Sequence, residues 1–140
     1  MTKIVKNFEV AAPPESVFAL VSTPEKWPQW ASWVKQAKSD GAKTHWVYEM
    51  GGMKVDSYTE ITELRINSFY GFKQTKGFLK LGEISMRIEP NGKGSSVNWV
   101  VEYEPPYSYL GKVMDKLMMS KQFEQSIDES VIGLKKTFGA

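Results

Sequence analysis

Large apolar residues recur at alternate positions in Thr44-His45-Trp46-Val47-Tyr48-Glu49-Met50 and again in Val97-Asn98-Trp99-Val100-Val101-Glu102-Tyr103. A period of two predicts strands that each carry one bulky apolar face. The same reading gives a first strand over residues 3–11, with Ile4, Phe8 and Val10 on related positions. After Trp33 the alternating runs are interrupted at Asp40-Gly41, Gly51-Gly52, Asn67, Lys76-Gly77 and Asn91-Gly92-Lys93-Gly94. These are hairpin signals, and their spacing predicts an antiparallel meander. Between the first strand and the meander, Pro13-Pro14 ends the strand and opens a short helix from Pro14 to Ser22, because proline suits a first helical turn and Glu15 the positive end of the helix dipole. Thr23-Pro24-Glu25 repeats that grammar, predicting a second short helix from Pro24 to Trp30 docked by Trp27 and Trp30.

Beyond Pro105-Pro106 the period changes to 3.6, with Ser108 as a cap, and one long helix runs to Phe138. With Ile127 at the centre of its buried face, Tyr109, Leu110, Val113, Phe123, Val131, Leu134 and Phe138 lie beside it. The same wheel puts Lys116 and Ser120 near the face centre and Met114 and Met118 opposite, so the pattern breaks between Gly111 and Ser120. A kink or register change near Gly111 is one explanation. The other is that this half of the helix spans a cavity, with mobile methionines forming an adjustable mouth. Either way the class is α+β: a curved antiparallel sheet, two short helices and one long C-terminal helix, with a space between sheet and helix where an apolar ligand would sit.

Composition narrows the function more by exclusion than by selection. The 140 residues are one domain's worth, read as a single domain over 1–140. The 18 basic and 16 acidic side chains leave a net charge of +2, spread without long runs, so neither nucleic acid nor a polybasic membrane patch is expected. The absence of cysteine removes disulfides and thiolate chemistry. No signal-peptide run or membrane-length apolar stretch is present, so a soluble, cytoplasmic protein is expected. Aromatic residues make up 13% of the chain, which favours large side chains around a core or pocket over disorder.

Several ordered segments carry a resemblance. Ala12-Pro13-Pro14-Glu15-Ser16-Val17-Phe18, Thr23-Pro24-Glu25-Lys26-Trp27-Pro28-Gln29-Trp30, His45-Trp46-Val47, Glu60-Ile61-Thr62-Glu63, Gly82-Glu83-Ile84-Ser85-Met86, Gly94-Ser95-Ser96-Val97 and Tyr103-Glu104-Pro105-Pro106 with Gly111 stand in that order. Together with the element order, they resemble the polyketide cyclase/dehydrase branch of the Bet v1/START-like (SRPBCC) superfamily over essentially the whole chain. The resemblance implies the helix-grip fold and a cavity more than a reaction, since such folds host unrelated functions. Ser57 stands where related sequences often carry a large aromatic, which would enlarge the pocket or admit water; Ser95 stands where threonine is usual.

If the apolar parity of each strand faces the helix, the ligand wall includes Trp46, Tyr48, Ser57, Thr59, Tyr70 and Phe72, then Met86, Trp99, Val101 and Tyr103. From the helix it would take Leu110, Val113, Leu117 and Phe123. Buried tyrosines and tryptophans carry donors that seek partners, which suits a lipid, a quinone or a polyketide-like molecule in a pocket of a few hundred Å³. A cyclase or dehydrase would also need a proton donor or acceptor near a bound carbonyl, and His45, Tyr48 and Tyr103 are the candidates for that role. His45 has the parity opposite to Trp46, which favours a hydrogen-bonded residue on the outer face. Its being the single histidine leaves no spacing for a zinc site, and no cofactor is expected. Glu60, Glu63, Glu102, Glu104 and Arg87 are read as solvating the outer sheet face. The favoured function is binding or transport of a hydrophobic small molecule. The alternatives are an enzyme of the cyclase/dehydrase type and a protein-partner module docking through Met114, Met118 and Met119.

Overall fold

The computed structural model describes residues 2–50, 52–104 and 113–139, with side chains described throughout except at 50 and 113–119. Seven strands run β1 (Thr2–Val10), β2 (Val34–Asp40), β3 (Lys43–Met50), β4 (Met53–Arg65), β5 (Phe69–Gly77), β6 (Leu81–Asn91) and β7 (Gly94–Glu104). They form one antiparallel sheet in the order β1-β7-β6-β5-β4-β3-β2. Strands β2 to β7 are thus the expected meander, and β1 closes it by pairing with β7. The hairpin signals fall at the junctions of consecutive strands, Lys76-Gly77 as the last two residues of β5, with left-handed backbone at Gly41, Gly52, Asn67 and Gly92, the conformation in which glycine and asparagine cost least.

Helix α1 spans Pro14–Val21. The segment after it is a tight 3-10 helix, Pro24–Gln29, rather than an α-helix. Pro28 lies inside it and lacks the N–H that a continuing α-helix would use. Helix α2 is described over Val113–Thr137; the expected cap Ser108, and Tyr109, Leu110 and Gly111, lie outside the described residues. On α2 the predicted face holds where side chains are described: Phe123, Ile127 and Leu134 are buried, with Val131 and Phe138 packed against the core.

The two sheet faces divide as the alternation requires. Inward positions of β7 (Val97, Trp99, Val101, Tyr103) and β6 (Met86, Ile88) are buried. On the outer face, registered neighbours make a charged row across the sheet, Lys3–Glu102–Glu83–Lys73–Glu60–Lys43–Asp40. Opposite charges meet at every step but Glu102–Glu83, and that step is flanked by lysines on both sides, an arrangement that solvates this face and supports the register. Glu63 pairs with Arg65, and Glu104 with Lys80 at 3.5 Å. Arg87 is exposed over the Phe69 ring at 5.3 Å.

Two close backbone approaches fix how neighbouring segments pack. A Cβ on Gly133 of α2 would run into the Trp30 carbonyl oxygen, so only glycine lets the helix sit against the 3-10 segment. Gly94 is more than a turn residue, because its missing Cβ leaves room for the Val10 carbonyl oxygen. Ser95 next to it donates to the Ala12 carbonyl at 2.7 Å. Lys6, on the inward parity of β1, reaches Glu124 at 2.8 Å and Asp128 at 3.0 Å on α2.

Candidate functional site

Inward-facing residues meet two different fates. At one end, Trp27 descends from the 3-10 helix into the sheet and its indole donates to the Val21 carbonyl at 2.8 Å. Its ring lies 4.6 Å from Trp30, 5.0 Å from Trp46, 6.0 Å from Phe72 and 6.1 Å from Trp99. These contacts are edge-to-face or tilted, the geometry that aromatic quadrupoles favour. This end is solid.

At the other end no counterpart of Trp27 is found among the described residues, and several residues on the inner face are small. Ser57 lies directly across from Trp46, and Gly82 across from Tyr103. The volume missing at those positions opens a cavity bounded by Trp46, Tyr48, Ser57, Thr59, Phe72, Gln74, Ile84, Val101, Tyr103 and Phe123, with Trp33 and Leu79 half-buried at its edge. It offers about 70 Å³ to water-sized molecules. That is less than the few hundred Å³ expected from sequence, because the Trp27 cluster fills the other half of the inner face.

Of the residues proposed as ligand wall, Trp46, Tyr48, Ser57, Thr59, Phe72, Val101, Tyr103 and Phe123 are brought together around this cavity. Tyr70, Met86 and Trp99 are buried but stand in the packed core, away from it. Leu110 lies outside the described residues, as do the side chains of Val113, Leu117, Lys116, Met114, Met118 and Met119. Trp33, Gln74, Leu79 and Gly82 were missed. Strand parity would have found two of them, since Gln74 follows Phe72 and Gly82 precedes Ile84 by two residues. Nothing in the alternation marks Leu79, which lies in the turn before β6.

The polar groups of the wall are mostly paired with each other. The Trp46 indole donates to the Thr59 hydroxyl at 2.8 Å. Ser57 donates to Gln74 Oε1 at 3.1 Å, and Gln74 Nε2 donates to the Leu79 carbonyl at 2.7 Å. The Trp33 indole donates to Ser130 Oγ at 2.7 Å, holding the rim to α2. Tyr103 differs. It is 1% exposed, its ring lies 4.5 Å from Phe123, and among the described residues its hydroxyl, like the Trp30 and Trp99 indoles of the packed cluster, meets no partner in full hydrogen-bond geometry. Burial pushes its acidity constant up, and the nearby Ser120 and Thr2 side chains offset part of that rise. Burial pushes the Tyr48 hydroxyl up as well. Both are therefore protonated donors at neutral pH.

His45 faces away from the cavity. Its Nε2 lies 2.7 Å from Asp56 Oδ1, and its ring stacks on Tyr58 at 4.4 Å on the outer face. Among the described residues, no group of three or more histidine, cysteine, aspartate or glutamate side chains could hold a metal ion. No described helix is long and apolar enough to cross a membrane.

Comparison with known proteins agrees with this architecture. The family model for polyketide cyclase/dehydrase and lipid transport matches residues 1–139. No curated protein matches the sequence. Among solved structures, a protein of Thermus thermophilus superposes with a TM-score of 0.83 at 23% identity, covering 96% of this chain and 95% of that one. A START superfamily protein from Mycobacterium smegmatis gives a TM-score of 0.78 at 18% identity over 96% and 97% of the two chains. The Zhui aromatase/cyclase from Streptomyces sp. R1128 gives 0.82 at 9% identity over 97% and 92%. At these identities the structures share the fold and nothing finer.

Proposed function

The chain belongs to the polyketide cyclase/dehydrase and lipid transport family, and within that family we propose that it binds a hydrophobic small molecule in the cavity between the sheet and α2. The observation that carries this reading is the contrast between the solid Trp27 end and the apolar void beside Ser57 and Gly82. A concave apolar pocket lined by large side chains with a few polar groups is the usual form of a small-molecule site. Binding is favoured over turnover by the chemistry of the wall. Among the described residues its buried titratable side chains are Tyr48 and Tyr103, held protonated by burial, whereas the imidazole of His45 is spent on Asp56 at the outer face. A cyclisation needs a base as well as a donor.

The test is displacement of a neutral fluorescent probe, N-phenyl-1-naphthylamine, together with denaturing extraction of the purified protein and mass spectrometry. Saturable probe binding, lost in Ser57→Phe where the ring fills the void, is the expected result. An apolar molecule recovered from the wild type and missing from the variant would identify its class. Probe binding that is unaffected by Ser57→Phe, or absent in the wild type, would contradict the proposal.

A further inference from the structure

Strand β4 outruns its neighbour β3. Glu60, registered to Lys43, is the last residue of β4 to pair with β3, and the Ile61 N–H still reaches the Ala42 carbonyl at 2.9 Å. From there to Arg65 the registered neighbour of β4 is β5 alone. The register shift at Thr62 is a bulge, a device that ends pairing. The β2 edge of the same sheet is guarded: the Ala31 carbonyl accepts from the Val34 N–H at 3.0 Å, Glu25 accepts from the Ser39 N–H at 2.7 Å, and Lys35 and Lys38 are exposed. The β4 overhang is exposed throughout and carries two aliphatic side chains, Leu64 at 51% and Ile66 at 78%, the latter the most exposed large apolar residue described. An unpaired strand edge with exposed apolar side chains is a template for another strand.

The overhang is complementary to itself. Laid antiparallel on a second copy about a two-fold axis through Leu64, Thr62-Glu63-Leu64-Arg65-Ile66 sets each Glu63 opposite an Arg65, Leu64 opposite Leu64 and each Thr62 opposite an Ile66. Glu63 and Arg65 are registered to Gly71 and Phe69 on the outer face, where they already pair at 2.6 Å within the chain. Two copies would therefore close a square of alternating charges, each acid between two arginines. Leu64, registered to Tyr70, has the inward parity, so the two leucines meet on the other side of the ladder. Opposite charges directly across an antiparallel pair are stabilising, and a two-fold interface requires one patch to match itself. We propose that this overhang is a homodimer contact, in which residues 62–66 of two copies pair antiparallel about Leu64 and join two sheets into one. The overhang leads into the β4–β5 turn, at the end of that hairpin away from Ser57 and Gln74, so pairing there leaves the cavity residues uncovered.

The experiment is sedimentation velocity on the whole chain at concentrations up to about 1 mM, with Glu63→Arg, Arg65→Glu and the double variant carrying both, each checked by thermal melting. The wild type is expected to dimerise reversibly with a dissociation constant on the order of 0.1 mM, as suits a contact smaller than a standard interface. Each single variant sets like charges opposite one another and should weaken self-association about tenfold. An equimolar mixture of the two single variants should dimerise as the wild type does, because every facing pair is again opposite in sign. The double variant should do so alone, which keeps the test decisive if a single variant fails to fold. A wild type that stays monomeric at the highest concentration, single variants that dimerise as the wild type does, or a mixture and a double variant that both stay monomeric would each overturn the proposal. So would a monomeric wild type retained on phosphatidylglycerol vesicles through Leu64 and Ile66, since the overhang would then meet a lipid surface and not a second copy.

Discussion

The Trp27 end and the Ser57 end of the inner face are made from the same alternating pattern, and only one of them is filled. Trp46 and Phe72 stand on the boundary, stacked 5.3 Å apart, each touching the Trp27 ring and also lining the cavity. The difference lies in what covers the sheet and in side-chain volume on β4 and β6. Where the 3-10 helix drives an indole down onto the sheet, the large residues close-pack. Where Ser57 and Gly82 face the same large residues, with no such plug among the described residues, a pocket remains. An apolar face therefore becomes packed core or open cavity according to its complement, and the bulk of its own side chains does not decide the matter.

The comparison breaks most visibly at the plug. Trp27→Ala deletes a fully buried ring that touches five other aromatics, and a loss of about 3–5 kcal/mol is expected in denaturant unfolding. Trp99→Ala, in the same cluster, is expected to act on folding in the same way and so cannot report on ligand contact. Next in size is Gly133→Ala. Alanine raises helix propensity by about 1 kcal/mol, but its Cβ would meet the Trp30 backbone oxygen, and overpacking of this kind costs about 1–3 kcal/mol or more. Net destabilisation is expected by the same measurement, whereas a net gain would mean that α2 is not seated on the 3-10 segment.

The smallest effect concerns how that segment is held to the sheet edge. Glu25 accepts from the Ser39 backbone N–H at 2.7 Å and from its hydroxyl, and these bonds hold its carboxyl below the ordinary value of 4.5. A carboxyl lowered in the folded state contributes stability above its unfolded value, and the contribution is lost as the pH falls through the folded one. The melting temperature of the wild type is expected to exceed that of Glu25→Gln at about pH 6, with the gap closing as the pH falls below 4.5. The gap should be small, since the group is exposed. A gap that widens on acidification would contradict the assignment.

Much of this architecture was legible in the sequence because it rests on local signals. Alternation placed the inward and outward residues of β3, β6 and β7, whereas β2 and β4 break the period at bulges, and turn residues marked the ends of the five hairpins. The outward position of His45 followed from its parity relative to Trp46. What the sequence did not reveal was where the inner face would be plugged. Tyr70, Met86 and Trp99 face inward as Val101 and Tyr103 do, and the cover of this end by the Trp27 cluster and by α1, which packs on β5, β6 and β7, makes the first group core. The volume of the cavity was overestimated for the same reason. The close approach at Gly133 was hidden as well, since a lone glycine in a helical pattern reads as a modest propensity cost and its partner, Trp30, is about a hundred residues away.

The five tryptophans allow the contrast between the two ends to be measured in one experiment, because each contributes an indole N–H signal to a nitrogen-15 correlation spectrum. Trp33 and Trp46 border the cavity, whereas Trp27, Trp30 and Trp99 lie in the packed cluster. Titration with 1,4-naphthoquinone is expected to move the Trp33 and Trp46 indole signals in a saturable manner and to leave those of Trp27, Trp30 and Trp99 close to their starting positions. Saturable shifts centred on Trp27, Trp30 and Trp99, or no saturable shift at any indole, would contradict the account.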